Sequence, residues 1–153
     1  KAQLPKGKNI VAALWLASNQ SWPPEIDCVE AFTDKEGSYN HRLLWRRIEP
    51  NIHYIGKSGH EQRGGKRTCR FLFKTNKTVD FKIIFTPDKI DVYYNNKRVM
   101  HETREVVLQD FKDVKFFPIM NINVMRPYLL KNLKEESVFE IHDFKFTEYE
   151  KKG

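Results

Sequence analysis

The stretch VDFKIIFTPDKIDVYYN, residues 79–95, constrains the fold more tightly than any other part of the chain. Val79, Phe81, Ile83 and Phe85 alternate with Asp80 and Lys82, the residues TPDK break the pattern, and alternation resumes through Ile90, Val92 and Tyr94. A period of two belongs to a half-buried strand, and two such runs joined by a short turn-forming insert make a β-hairpin. Asn95-Asn96 then turns the chain again, into KRVM.

Similar short runs recur along the chain. IVAALWLA (10–17) is apolar and brief, and EIDCVEAF (25–32) follows the breaker pair Pro23-Pro24. YNHRLLWRRI (39–48) and NIHYIGK (51–57) read as two strands separated by Pro50, and KSGHEQRGGKR (57–67) reads as a long exposed loop. Residues 103–115 are mixed enough for a helical turn, and FFPIMNINVM (116–125) is a further strand. SVFEIHDFKFTEY (137–149) closes the chain; Phe139 and Ile141 share one parity and Phe144 and Phe146 the other, which predicts a bulge near His142. About eight to ten short strands, with a turn signal roughly every ten residues, predict an all-β sandwich or jelly roll. With 153 residues, 40% of them hydrophobic, the chain has material for one core, so residues 1–153 are expected to form a single domain. No apolar stretch approaches the ~18 residues of a membrane span, so no membrane insertion is expected. The two cysteines, Cys28 and Cys69, leave one disulfide open without requiring it. The N-terminus lacks both a Met and the pattern of a signal peptide, which points to a fragment or a processed piece.

The run 25–32 carries three carboxylates, Glu25, Asp27 and Glu30, in an otherwise apolar strand. Strict alternation puts Glu25 and Asp27 on one face and Glu30 on the other, whereas one extra residue between Asp27 and Glu30 resets the parity and aligns all three. A sheet face bearing three anions must be wet or covered by a ligand, because unpaired buried charges are prohibitively costly. Two carboxyl groups flanking a substrate are what retaining glycoside hydrolysis uses, one as nucleophile and one as acid then base. A third charge between them makes full ionisation costly and keeps a proton in the group; on Glu30, that proton makes it a general acid beside an ionised Glu25. The bland alternative is that the acids decorate the solvent side of an edge strand, and E-x-D-x-x-E alone does not decide between the two.

Net charge is +7 and unevenly placed. Between His41 and Arg70 lie Arg42, Arg46, Arg47, Lys57, Arg63, Lys66, Arg67 and Arg70 against only Glu49 and Glu61. This is either a surface for an anionic partner or a solvated loop. Nucleic-acid binding would use such charge with the interleaved Tyr39, Trp45 and Tyr54, but no nucleic-acid fold signature accompanies them and carboxylates on a binding face repel phosphate. No nucleic-acid partner is expected. There is no Gly-rich phosphate loop, and the five histidines are too scattered for a metal-type cluster.

LPKGKNIVAALWLASNQSWPPEIDCVEAF resembles the central segment of glycoside hydrolase family 16, where a Trp-containing strand precedes an E-I-D-x-x-E catalytic strand. In the same order, IHY (52–54) looks like the family's histidine-bearing strand, VDFKIIFTPDKIDVYYNNKRV like its hairpin, FFPIMNINV like the strand that contains Asn121 here, and FEIHDFKFTEY like its final strand. The resemblance implies a concanavalin-like β-jelly-roll sandwich whose concave sheet binds a polysaccharide. It implies Glu25 as nucleophile, Asp27 as assisting carboxylate and Glu30 as acid/base, with His53 near the centre, Trp22 and Trp15 around the cleft, though Trp15 fits the core equally well, and Asn121 available to substrate; Arg46, from the basic stretch, is a further substrate-binding candidate. It implies an extracellular or cell-surface location and no required cofactor, with a structural calcium at Asp143. Where the family has a Trp this chain has Phe85, and where it has a Gly-rich turn after NINV this chain has MRPY. The family's leading strands have no counterpart ahead of Lys1, which implies a preceding chain segment, strands supplied by a parent assembly, or an incomplete groove that no longer turns over substrate.

Two functions follow as expectations. One is a retaining endo-glycosidase cutting a β-linked polysaccharide, either a β-glucan or, given the basic stretch, a sulfated galactan whose anions match Arg forks. The other is a non-catalytic carbohydrate-recognition module of a larger surface assembly.

Overall fold

The computed structural model describes residues 1–5, 9–33, 48–65, 77–124 and 137–147. The predicted strands at 39–47, with Arg46, and Cys69 lie outside the described residues.

The hairpin expected over 79–95 forms from Phe81 onward, while Val79 falls in a separate short strand of another sheet. Strand β7 (Phe81–Thr86) pairs antiparallel with β8 (Lys89–Tyr94), which pairs with β9 (Lys97–Glu102). Asn95 and Asn96 both adopt positive φ, 47° and 63°, the conformation that a two-residue hairpin turn demands and that asparagine tolerates. The Asn95 side-chain oxygen accepts from the Asp80 amide at 2.8 Å and fixes the base of the turn.

A second sheet of five strands runs in the order β10 (Phe116–Val124), β2 (Ile10–Ser18), β3 (Glu25–Phe32), β4 (Ile48–Tyr54) and β5 (Gln62–Gly64), all antiparallel. Short strands β1 (Ala2–Gln3), β6 (Thr78–Val79) and β11 (Glu140–Ile141) make a third sheet in the order β11, β1, β6. The molecule is an all-β sandwich. Its core lies between Ile26, Cys28, Val29, Ala31, Ile48 and Ile52 of the five-stranded sheet and Ile90, Val92, Tyr94, Val99 and Met100 of the hairpin sheet. Helix α1 (Glu105–Leu108) and the following 3-10 turn add Val107, Leu108 and Phe111, so the helical turn expected at 103–115 is present. Phe111 stacks on Phe116, and Phe85 meets both edge-on.

Three expectations need correction. Pro50 does not separate two strands but lies inside β4, where the register shifts and the ladder needs no donor from it. The 57–67 loop is shorter than expected: Gly56–Ser58 form a 3-10 turn and Gln62–Gly64 form β5, held by pairing with β4 despite having no apolar pattern. The closing strand is reduced among the described residues to Glu140–Ile141, with residues 142–147 irregular. The amides of His142 and Asp143 nevertheless both donate to the Lys1 carbonyl, the two-against-one pattern of a bulge at the place where parity changes.

Strand β10 is an edge. Met120, Ile122 and Val124 oppose Leu14, Ala12 and Ile10 in register and therefore share the core-side face, yet they stay exposed. No helix among the described residues is long and apolar enough to cross a membrane.

Candidate active site

The three carboxylates come together through one inserted residue. Leu14 pairs with Val29, but the next β2 residue, Trp15, pairs with Asp27, so Cys28 is extra on β3. On the other side Asp27 pairs with Asn51 and Glu30 with Glu49, leaving two β3 residues against Pro50. The bulge turns both Cys28 and Val29 into the core and leaves Glu25, Asp27 and Glu30 on the outer face. Its extra carbonyl is not orphaned, because the buried Tyr94 hydroxyl on the opposite sheet donates to the Cys28 oxygen at 2.8 Å. Cys28 is a free thiol, and burial holds it well above the usual thiol range.

Register then fixes what surrounds each acid on that face. Glu25 stands between Ala17 and His53, with Phe117 and Arg63 at the ends of the same row. Asp27 stands between Trp15 and Asn51, with Ile119 beyond, and Glu30 between Ala13 and Glu49, with Asn121 beyond. The two glutamates thus face the small side chains of Ala17 and Ala13 on β2, while Trp15 stands opposite Asp27. Trp15 belongs to the site face; its indole Nε1 donates to Asn121 Oδ1 at 2.7 Å, so these two predicted residues form one flank.

On the other flank, Trp22 Nε1 donates to Glu25 Oε2 at 3.0 Å, and the Trp22 ring lies 5.5 Å from the His53 ring. His53 Nε2 sits 3.5 Å from Glu25 Oε1 and 3.2 Å from Asp27 Oδ2. The contact with Asp27 has the distance of an ion pair without hydrogen-bond alignment, and Oδ2 is buried with no hydrogen-bond partner. The other ring nitrogen, Nδ1, lies 2.8 Å from Glu61 Oε1, which also accepts from Arg63 Nε at 3.1 Å. Trp22 itself is 57% exposed, an aromatic face presented to solvent at the rim of a polar site.

Burial raises the Glu25 carboxyl to about 7; the Asp27 charge adds to the rise and His53 opposes it. Burial also raises Asp27, against the opposing pull of the adjacent His53 imidazole, with the Glu30 charge adding to the rise. Glu30 is raised by burial against the opposing pull of His53 and a hydrogen bond from Asn51. For His53, burial works downward, but the close Asp27 and Glu61 carboxylates, together with the charge of Glu25, outweigh it and lift the imidazole to about 9. Glu61 is held below the usual carboxylate range, first by His53 and then by Arg63. The expected retained proton therefore belongs to the group as a whole, since Glu25 as well as Glu30 holds one more tightly than a free carboxylate does.

Glu61, Arg63, Asn51 and Phe117 were not singled out from the sequence. Asn51 was within reach, because it shares the parity of His53; Glu61 and Arg63 were hidden in a stretch that reads as loop. Asp143, offered as a calcium ligand, lies elsewhere, where its backbone carbonyl accepts from the Lys1 ammonium at 2.8 Å. Among the described residues the group of three or more His, Cys, Asp or Glu side chains able to converge on one ion is Glu25, Asp27 and His53, and Asp143 does not belong to it. Comparison with family models, with curated proteins and with solved structures finds no match for this chain.

Proposed function

We propose that the chain is a retaining endo-glycosidase acting on a β-linked polysaccharide at the cell surface or outside it, on a jelly-roll sandwich of the glycoside hydrolase family 16 type. The observation that carries this reading is the bulge at Cys28, which gives Glu25, Asp27 and Glu30 one common outer face. Glu25 attacks the anomeric carbon while Glu30 gives its proton to the leaving glycosidic oxygen. Glu30 then takes a proton from the water that releases the sugar from Glu25. The steps need no cofactor. Glu25 and Glu30 stand opposite Ala17 and Ala13, ~13 Å apart along a strand, so retention requires both side chains to lean over Asp27 until their carboxyls are roughly 5–5.5 Å apart. Trp22 and Phe117 offer apolar faces to sugar C–H surfaces, and Asn121 and Asn51 offer amides to hydroxyls. Arg63 at the end of the Glu25 row, within a locally basic stretch of sequence, supports an anionic, sulfated polymer over a neutral glucan.

Glu25→Gln tests the reading. Against a panel of neutral and sulfated β-glycans, the wild type releases reducing ends. The variant loses at least about a hundredfold in kcat while binding the same polymer with little change. A wild type that binds glycan but cuts none would make the chain a carbohydrate-recognition module instead.

A further inference from the structure

The same geometry is that of a transition-metal site. We infer that Glu25 Oε1, Asp27 Oδ2 and His53 Nε2 bind a borderline divalent cation of the zinc class in the free protein. The inference does not depend on the glycosidase reading, since it rests on three ligand atoms and their support.

Distances come first. Zinc holds nitrogen and carboxylate oxygen at about 2.0–2.2 Å, and in a tetrahedron of such bonds neighbouring ligand atoms stand about 3.4 Å apart. His53 Nε2 lies 3.5 Å from Glu25 Oε1 and 3.2 Å from Asp27 Oδ2, and all three atoms fall within 4.8 Å of one another. Three such atoms would supply three of four ligands, and Glu25, the least buried of the three, lies toward the side where a water would complete the set.

The second observation is independent of spacing. The Asp27 side chain is only 3% exposed, and its Oδ2 is buried without a hydrogen bond, its contact being the 3.2 Å ion-pair approach to His53 Nε2 inside this group. A buried carboxylate oxygen left so is costly, and a cation is the partner its position fits. The third is the outer support. Glu61 Oε1 at 2.8 Å takes the Nδ1 hydrogen of His53, and Arg63 holds Glu61 in turn, the carboxylate–histidine arrangement that supports a metal-bound imidazole; the Asn51 Nδ2 amide, 3.2 Å from Nε2, is the contact the ion would displace. The ion displaces a proton from Nε2, and two carboxylates and a neutral imidazole balance its charge. The imidazole favours zinc-class ions over calcium or magnesium, which prefer all-oxygen sites.

The full chain, stripped with chelator, is titrated with Zn2+ and with Co2+. The expected result is one equivalent of zinc retained after dialysis, with cobalt giving the visible bands of a four-coordinate site. Asp27→Asn and His53→Gln should each weaken binding by more than tenfold. Because either variant may disturb folding, Glu61→Gln, on an exposed side chain, provides a further test: loss of the outer carboxylate should weaken zinc by about tenfold or more. No retained zinc in the folded wild type, or zinc affinity unchanged in Glu61→Gln or in a folded Asp27→Asn, would overturn the assignment.

Discussion

Glu25 and His53 bind protons more tightly in the folded protein than as free side chains, about 7 against 4.5 and about 9 against 6.5. The consequence for stability has one sign. A group whose folded pKa is raised contributes fully below its unfolded value and loses that contribution as pH rises through the folded value. Glu25 therefore favours folding less as pH climbs from about 4.5 through 7, and His53 as it climbs from about 6.5 through 9. The carboxylates held low, Glu61, Asp91 and Glu102, act in the opposite sense but only below their ordinary values, outside this window. Thermal unfolding should show the midpoint falling steadily from about pH 5 to about pH 9, a loss on the order of 1–3 kcal/mol. His53→Ala should flatten the part above neutrality. A midpoint that rises or stays level over that range in the wild type would show that the proton-sharing group is not formed. At this scale the sequence was informative about residue types and poor about partners: the acids and His53 stand out in it, but Glu61 is eight residues from His53 across a turn that no apolar pattern announces.

The bulge is the element on which the site depends, and its support comes from the other layer. Tyr94, in the core with 1% exposure, donates to the Cys28 carbonyl across 66 residues of sequence. Removing that hydroxyl leaves a buried acceptor without its partner, so Tyr94→Phe should destabilise the fold by about 1–3 kcal/mol. Urea unfolding should show a lower midpoint with an unchanged slope; a midpoint equal to wild type would mean the bulge needs no such anchor. Strand β3 itself was readable, since Pro23-Pro24 marks its start and its carboxylates make sense only with an inserted residue. The Tyr94 contact was not readable, because a hydroxyl reaching a distant backbone carbonyl leaves no local signal. For the same reason Pro50 reads as a break in the sequence: only the register opposite the bulge shows why a residue without an N–H is accepted there.

For the whole molecule, the two packed layers give the five-stranded sheet one face committed to the core and a second that, among the described residues, carries the three carboxylates. Period-two alternation was enough to predict this sandwich, because it reports the core face of each strand directly. It did not predict the short third sheet, whose two-residue strands carry too few side chains to show a period. The outer face joins Trp22 and Phe117, three carboxylates and Arg63 in adjoining rows at the centre of the larger sheet. Rows of polar side chains with aromatic residues beside them suit an extended polymer better than a small molecule. The most direct measurement is the anomeric configuration of the first sugar end released from a β-linked polysaccharide, followed by proton NMR before mutarotation. Two carboxyls close enough for a covalent glycosyl intermediate predict the β-anomer first; the α-anomer first would mean that Glu25 and Glu30 stand too far apart to act as nucleophile and acid, and would contradict the account.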